Sequence, residues 1–78
     1  PQTVIEYSLP HAGRVDLAVY DLRGRMIRRL VGSVQVAGDH SVVWRGDETS
    51  GRQAPSGVYF VLFRTDEVQQ SQRVTLVK

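Results

Sequence analysis

Apolar and polar residues alternate along most of this chain. In Thr3-Val4-Ile5-Glu6-Tyr7-Ser8-Leu9, the residues Ile5, Tyr7 and Leu9 share one side of an extended backbone and Glu6 and Ser8 the other. Pro10 cannot donate to a ladder and ends that strand; Gly13 marks the turn that follows. Val15, Leu17 and Val19 then face one way, and Arg23-Gly24 interrupts the run before Met26-Ile27-Arg28-Arg29-Leu30-Val31 resumes it. Apolar, turn, apolar, with a glycine available for positive φ, predicts a β-hairpin; a helix over 25–30 is the rival, and it is too short to be favoured.

A further extended piece is expected around Val34 and Val36, and another over His40–Trp44 with Val42 and Trp44 on one face. Residues 46–57 hold three glycines and a proline among polar fillers and form the longest expected loop. Val58-Tyr59-Phe60-Val61-Leu62-Phe63 is apolar at every position, which predicts a central strand covered on both faces. A turn at Asp66-Glu67 leads into a last strand with Val74 and Leu76 on one face. Turn signals recurring roughly every 8–12 residues, with no convincing helix, predict one all-β domain of sandwich or barrel type with six or seven strands.

Length sharpens this. Seventy-eight residues make one domain, and a domain this small buries only about 60% of the surface its unfolded chain exposes. It has little room to hollow out a small-molecule cavity. The absence of cysteine excludes disulfides, thiolate metal sites and a cysteine nucleophile. No run approaches the ~20 apolar residues of a membrane-spanning helix, so no membrane insertion is expected. The net charge is +2, with arginine supplying nine of the ten basic residues and acids interspersed; this calls for no nucleic-acid partner. Because the chain opens on Pro1 rather than Met, it is expected to be a piece of a longer protein.

Candidate chemistry is sparse. His11 and His40 have no ligand partner at metal-binding spacing. A Ser-His-Asp set drawn from Ser41 or Ser56, His40 and Asp47 lacks a nucleophile elbow. Asp47 and Glu48, with Asp39 and Asp66 elsewhere, make at best a weak structural calcium candidate, because alternating acids in one loop are missing. Arg45-Gly46-Asp47 spells an adhesion tripeptide that chance readily produces. Arg23, Arg25, Arg28 and Arg29 are the densest charge, either an anion-binding patch or the solvated face of a hairpin. The aromatics sit mostly at alternating core positions, where packing explains them better than a sugar-binding platform. No catalytic residue and no cofactor is assigned.

Several segments together are family-like. Residues 1–10, Pro1-Gln2-Thr3-Val4-Ile5-Glu6-Tyr7-Ser8-Leu9-Pro10, resemble the N-P-x-T-x-I-x-Y-x-L-P opening of the type A C-terminal sorting domains of the type IX (Por) secretion system. Residues 15–25 resemble their V-x-L-x-V-Y-D-x-x-G-R hairpin, residues 37–46 their A-G-x-H-x-V-x-W-x-G, and Ser56-Gly57-Val58-Tyr59-Phe60 their S-G-V-Y-F. The chain is almost equally similar to the Ig-like domain of the flagellar hook-capping protein FlgD, which shares the hairpin, tryptophan and S/D-G-x-Y motifs. The opening motif and the ending, Arg73 to Lys78, favour the sorting family. Two departures stand against it: only Pro1 remains of the Asn-Pro lead, and the ending carries less lysine than is usual there.

The resemblance implies an Ig-like, fibronectin type III-like sandwich of about seven antiparallel strands, spanning 1–78 as the C-terminal module of a larger secreted protein. It implies a non-catalytic sorting or cell-surface attachment module, its partners an outer-membrane secretion and attachment machinery and an upstream catalytic or adhesive domain. Recognition residues are expected in Asp21, Arg23, Gly24 and Arg25 and in the terminal strand Arg73, Val74, Thr75, Leu76, Val77 and Lys78. Tyr7, Trp44, Gly57 and Tyr59 are expected to be structural. The alternatives are a FlgD-like structural assembly domain and a carbohydrate-binding accessory module of a glycoside hydrolase.

Overall fold

The computed structural model describes residues 2–78; Pro1, the first residue of the opening motif, lies outside them. The alternating segments become six strands: β1 (Thr3–Leu9), β2 (Gly13–Tyr20), β3 (Met26–Gln35), β4 (Gly38–Trp44), β5 (Gly57–Arg64) and β6 (Gln69–Leu76). β1 and β4 pair into a small antiparallel sheet, and the other four form a larger one in the order β3-β2-β5-β6, antiparallel throughout.

Six strands, not seven, are formed among the described residues, and the reason lies in β3. The sequence suggests a break at Gly32, with a separate short strand around Val34 and Val36. Instead β3 runs unbroken through Gly32, which pairs in register with Asp16, to Gln35; its two shifts of register against β2, at Leu17/Ala18 and Val19/Tyr20, fall earlier in the strand, at Leu30 and Ile27. Such bulges bend and twist a strand without ending it. Val36 falls in the tight connection to β4 and is exposed.

The inner faces of the two sheets meet in one core. Ile5, Leu9 and Trp44 come from the small sheet; Val15, Leu17, Val19, Tyr59, Val61, Val74 and Leu76 come from the large one. Trp44 is 1% exposed, and its ring stands edge-on to that of Tyr59, centroids 5.2 Å apart and planes at 68°. Each ring also secures its polar atom, as buried aromatics with a polar tip require. Trp44 Nε1 donates to the Asp47 carbonyl at 2.9 Å, and the Tyr59 hydroxyl donates to the Pro55 carbonyl at 2.5 Å. The latter is the geometry of a tyrosine corner, in which a strand tyrosine bonds back to the backbone just upstream.

The loop 46–57 is thereby pinned at both ends. Gly46 (φ +74°) is pressed against β6: a Cβ placed there would stand 2.9 Å from Leu76 Cδ1. Ala54 is fully buried and its N–H returns to the Gly46 carbonyl at 2.8 Å.

One expectation for β5 is only half met. The strand is central in its sheet, between β2 and β6, but the second sheet covers only one of its faces. Tyr59, Val61 and Phe63 point into the core, and Val58, Phe60 and Leu62 point outward, only half-buried.

Removing the tryptophan ring should cost about 3–5 kcal/mol, most of the stability of a domain this size. Trp44→Ala is therefore expected to be largely unfolded in urea titrations monitored by far-UV circular dichroism. Tyr59→Phe keeps the ring but strands a carbonyl, and should lower stability by about 1–2 kcal/mol with the fold retained.

Candidate functional site

The β2–β3 hairpin is organised by a single carboxylate. Asp21 Oδ1 accepts from the backbone N–H groups of Arg23 at 2.9 Å and Arg25 at 3.0 Å, while Oδ2 accepts from Arg25 Nε at 2.9 Å. Backbone bonds from Gly24 N to Asp21 O and from Asp21 N to Arg25 O, both 3.0 Å, close the turn. Gly24 sits at φ +83°, a conformation that side-chain-bearing residues rarely adopt. Aspartate is suited to this position because its short side chain bonds the backbone two residues on. The bond from the Arg25 backbone is the largest influence holding the Asp21 carboxyl below its ordinary value; the Arg25 side chain and the Arg23 backbone add to it, and partial desolvation opposes it.

The hairpin does not stand alone. Ile27 O accepts from both Thr49 N (2.9 Å) and Thr49 Oγ1 (3.1 Å). Arg28 Nη1 reaches Glu48 O at 3.0 Å and Asp47 Oδ2 at 3.2 Å. Loop 46–57 is therefore stitched to the start of β3. Between the hairpin and the Pro55–Tyr59 segment lies an open groove of about 320 Å³, lined by Asp21, Arg23, Arg25 and Glu48 among others. Beneath it, burial raises the Tyr59 phenol above its ordinary value, with the charges of Glu48 and Asp21 adding to the effect. Its proton is retained for the bond to Pro55.

The terminal segment reaches the same end of the molecule. Leu76 pairs with Gly57 in register, and Lys78 N donates to Ser56 Oγ at 3.2 Å. The two stretches singled out for recognition, 21–25 and 73–78, are thus brought together across Ser56-Gly57. They are not equally available. Val74 and Leu76 are core residues, so this segment presents only Arg73, Thr75, Val77 and Lys78 to solvent.

The remaining candidates are dispersed. His40 stacks on Tyr7 (centroids 5.1 Å) and its Nε2 lies 2.7 Å from Val36 O; Tyr7 also packs against Phe63. Asp47 is engaged by Arg28 and Ser56 by Lys78, so no Ser-His-Asp device is assembled. In Arg45-Gly46-Asp47 the glycine is buried, and the tripeptide is no projecting tip. Among the described residues no three His, Asp or Glu side chains gather where they could hold a metal ion. Of the aromatics, Tyr20 and Phe60 alone are outward on the large sheet, opposite one another on β2 and β5.

Asp21 gives a direct pH test. Its folded-state pKa is depressed, so its contribution is present above the unfolded value near 3.8 and is lost as pH falls through the lower folded value. In NMR titrations the Asp21 carboxyl should titrate below 3.8, and the Arg23 and Arg25 amides should shift with it. Asp21→Ala should abolish both effects and loosen the turn.

The FlgD Ig-like domain family matches residues 2–66. Among solved structures, FlgD from P. aeruginosa superimposes with a TM-score of 0.74 and 28% identity over 97% of this chain and 60% of that one. FlgD from Xanthomonas campestris, whose structure is described in terms of hook capping essential for flagellar assembly, superimposes with a TM-score of 0.71 and 20% identity over 95% of this chain and 54% of that one. The chain therefore spans little more than half the length of these FlgD structures. No curated protein sequence matches it significantly.

These matches overturn the sorting reading and its partner. The type IX module recognised by an outer-membrane secretion and attachment machinery gives way to the FlgD resemblance. The physical reason is visible in the fold. The opening motif is β1, whose Ile5 and Leu9 build the core; the hairpin motif is the Asp21–Gly24 turn; the tryptophan and S-G-V-Y motifs are the Trp44–Tyr59 clamp. Residues that make the sandwich cannot tell apart two families that share it. The architecture is Ig-like and non-catalytic, with six strands among the described residues. The chain belongs to the FlgD Ig-like domain family.

Proposed function

We propose that this chain is a structural assembly domain of a flagellar hook-capping protein, working outside the cell as one Ig-like unit, 1–78, of a longer chain. The observation that carries this reading is the family match over residues 2–66, supported by 28% identity to P. aeruginosa FlgD over nearly the whole chain. The site chemistry is consistent with scaffolding. An Asp-capped turn, a loop stitched to a strand and a tail bonded to Ser56 make a rigid end, and rigid ends dock without a large ordering cost. The exposed residues there that would touch a neighbouring subunit are Arg23, Arg25, Val77 and Lys78.

Deleting the segment encoding residues 2–66 from the parent gene should leave cells without complete hooks in electron micrographs and without swimming motility. Normal hooks in the deletion strain, or a source organism that builds no flagellar hook, would sink the reading.

A further inference from the structure

The outer face of the large sheet is unusual for a surface open to water. An antiparallel sheet with one covered face ordinarily alternates apolar-in and polar-out. Here the register places Ala18 and Tyr20 of β2 beside Leu62 and Phe60 of β5, with Met26 of β3 next to Tyr20 and Val58 completing the row. Met26 is 44% exposed, and Tyr20, Val58, Phe60 and Leu62 are half-buried.

Arginines frame this apolar strip. Arg14, Arg29, Arg64 and Arg73 all fall on the same outer face, being register partners of Val34, Ala18, Asp16 and Phe60. Asp16 is the one acid there, and it is paired with Arg14 at 3.5 Å. Arg29, Arg64 and Arg73 have no ion-pair partner among the described residues. The four arginines and one acid put +3 on this face, in a chain whose total is +2. Gly32 lets two of the arginines lie close. A Cβ there would stand 2.9 Å from Arg29 Cδ and 3.8 Å from Arg14 Nη2, and Arg14 also donates to the Gly32 carbonyl at 3.4 Å.

We propose that this face is a docking surface for another protein, whose matching surface carries carboxylates around an apolar centre. An apolar, aromatic middle framed by arginines has the composition of interface hot spots, and guanidinium forks bind carboxylates bidentately. A second copy of the chain, face to face, would set +3 against +3 and is disfavoured. A simple polyanion would leave the Phe60–Leu62 strip uncovered. The surface adjoins the hairpin end, sharing Val58 with the groove there, and does not depend on the flagellar reading.

The test is an NMR titration of the isotope-labelled 78-residue chain at low salt with a ten-residue peptide alternating Glu and Phe. Amides of Ala18, Tyr20, Phe60, Leu62 and Arg73 should shift and those of the turn residues Arg23 and Gly24 should not. The peptide alternating Lys and Phe, polyglutamate, heparin and phosphatidylglycerol vesicles should have little effect. Arg64→Gln and Arg73→Gln should each weaken binding roughly tenfold, and Phe60→Ser, outward in the sheet, should do the same with the spectrum otherwise preserved. Gly32→Ala, which displaces Arg29, should weaken binding with the fold intact. No shift on this face with the Glu/Phe peptide overturns the proposal. So does equal binding of polyglutamate, heparin or vesicles, which would make the face a general anion stripe or a membrane contact, or binding indifferent to Phe60→Ser.

Discussion

The edge-on contact between Trp44 and Tyr59 holds the rest of the structure in place. Trp44 closes the small sheet and Tyr59 stands near the start of β5, so their packing joins the two sheets. Their polar atoms bond to the Asp47 and Pro55 carbonyls, which belong to the long loop between those strands. One aromatic pair thus fixes the sheet-to-sheet contact and both ends of a loop that has little regular structure of its own. In a domain too small for a deep core, concentrating burial and hydrogen bonding in two large side chains is an effective use of few residues. Gly46, packed against Leu76, then ties β6 to the same assembly.

This economy explains why the family motifs point to two functions. A short sandwich needs an alternating first strand, a glycine turn, a buried tryptophan and a tyrosine corner, whatever it is used for. The turn, tryptophan and tyrosine motifs are the ones the sorting and FlgD resemblances have in common, and here each has a packing or hydrogen-bonding role. Discrimination came from the family match over residues 2–66, since the motif residues are committed to folding.

The surface carries the information that the core does not. The hairpin end is tied together by the Asp21 carboxylate and by bonds from Thr49, and the tail is bonded to Ser56. The outer face of the large sheet has an apolar centre that no second layer covers and a charge balance opposite to that of the remainder of the chain. A stretch apolar on both faces is ordinarily a strand covered twice. β5 is covered once, and its other face remains available.

From the residues alone, the all-β class was legible, because period-two alternation at Ile5–Leu9, Val15–Val19 and Val74–Leu76 assigns inward faces without reference to any partner. The Asp21–Gly24 turn and the anchoring role of Trp44 were legible for the same local reason: turn chemistry and large apolar surface act over a few residues. Strand count was not, because whether Gly32 ends a strand or carries it on depends on its pairing with Asp16 of β2. Nor was the outward face of β5, or the gathering of Arg14, Arg29, Arg64 and Arg73 from four different strands. Alternation assigns a side chain to one of two faces, but only strand order and register decide which residues become neighbours and whether a face meets protein or water.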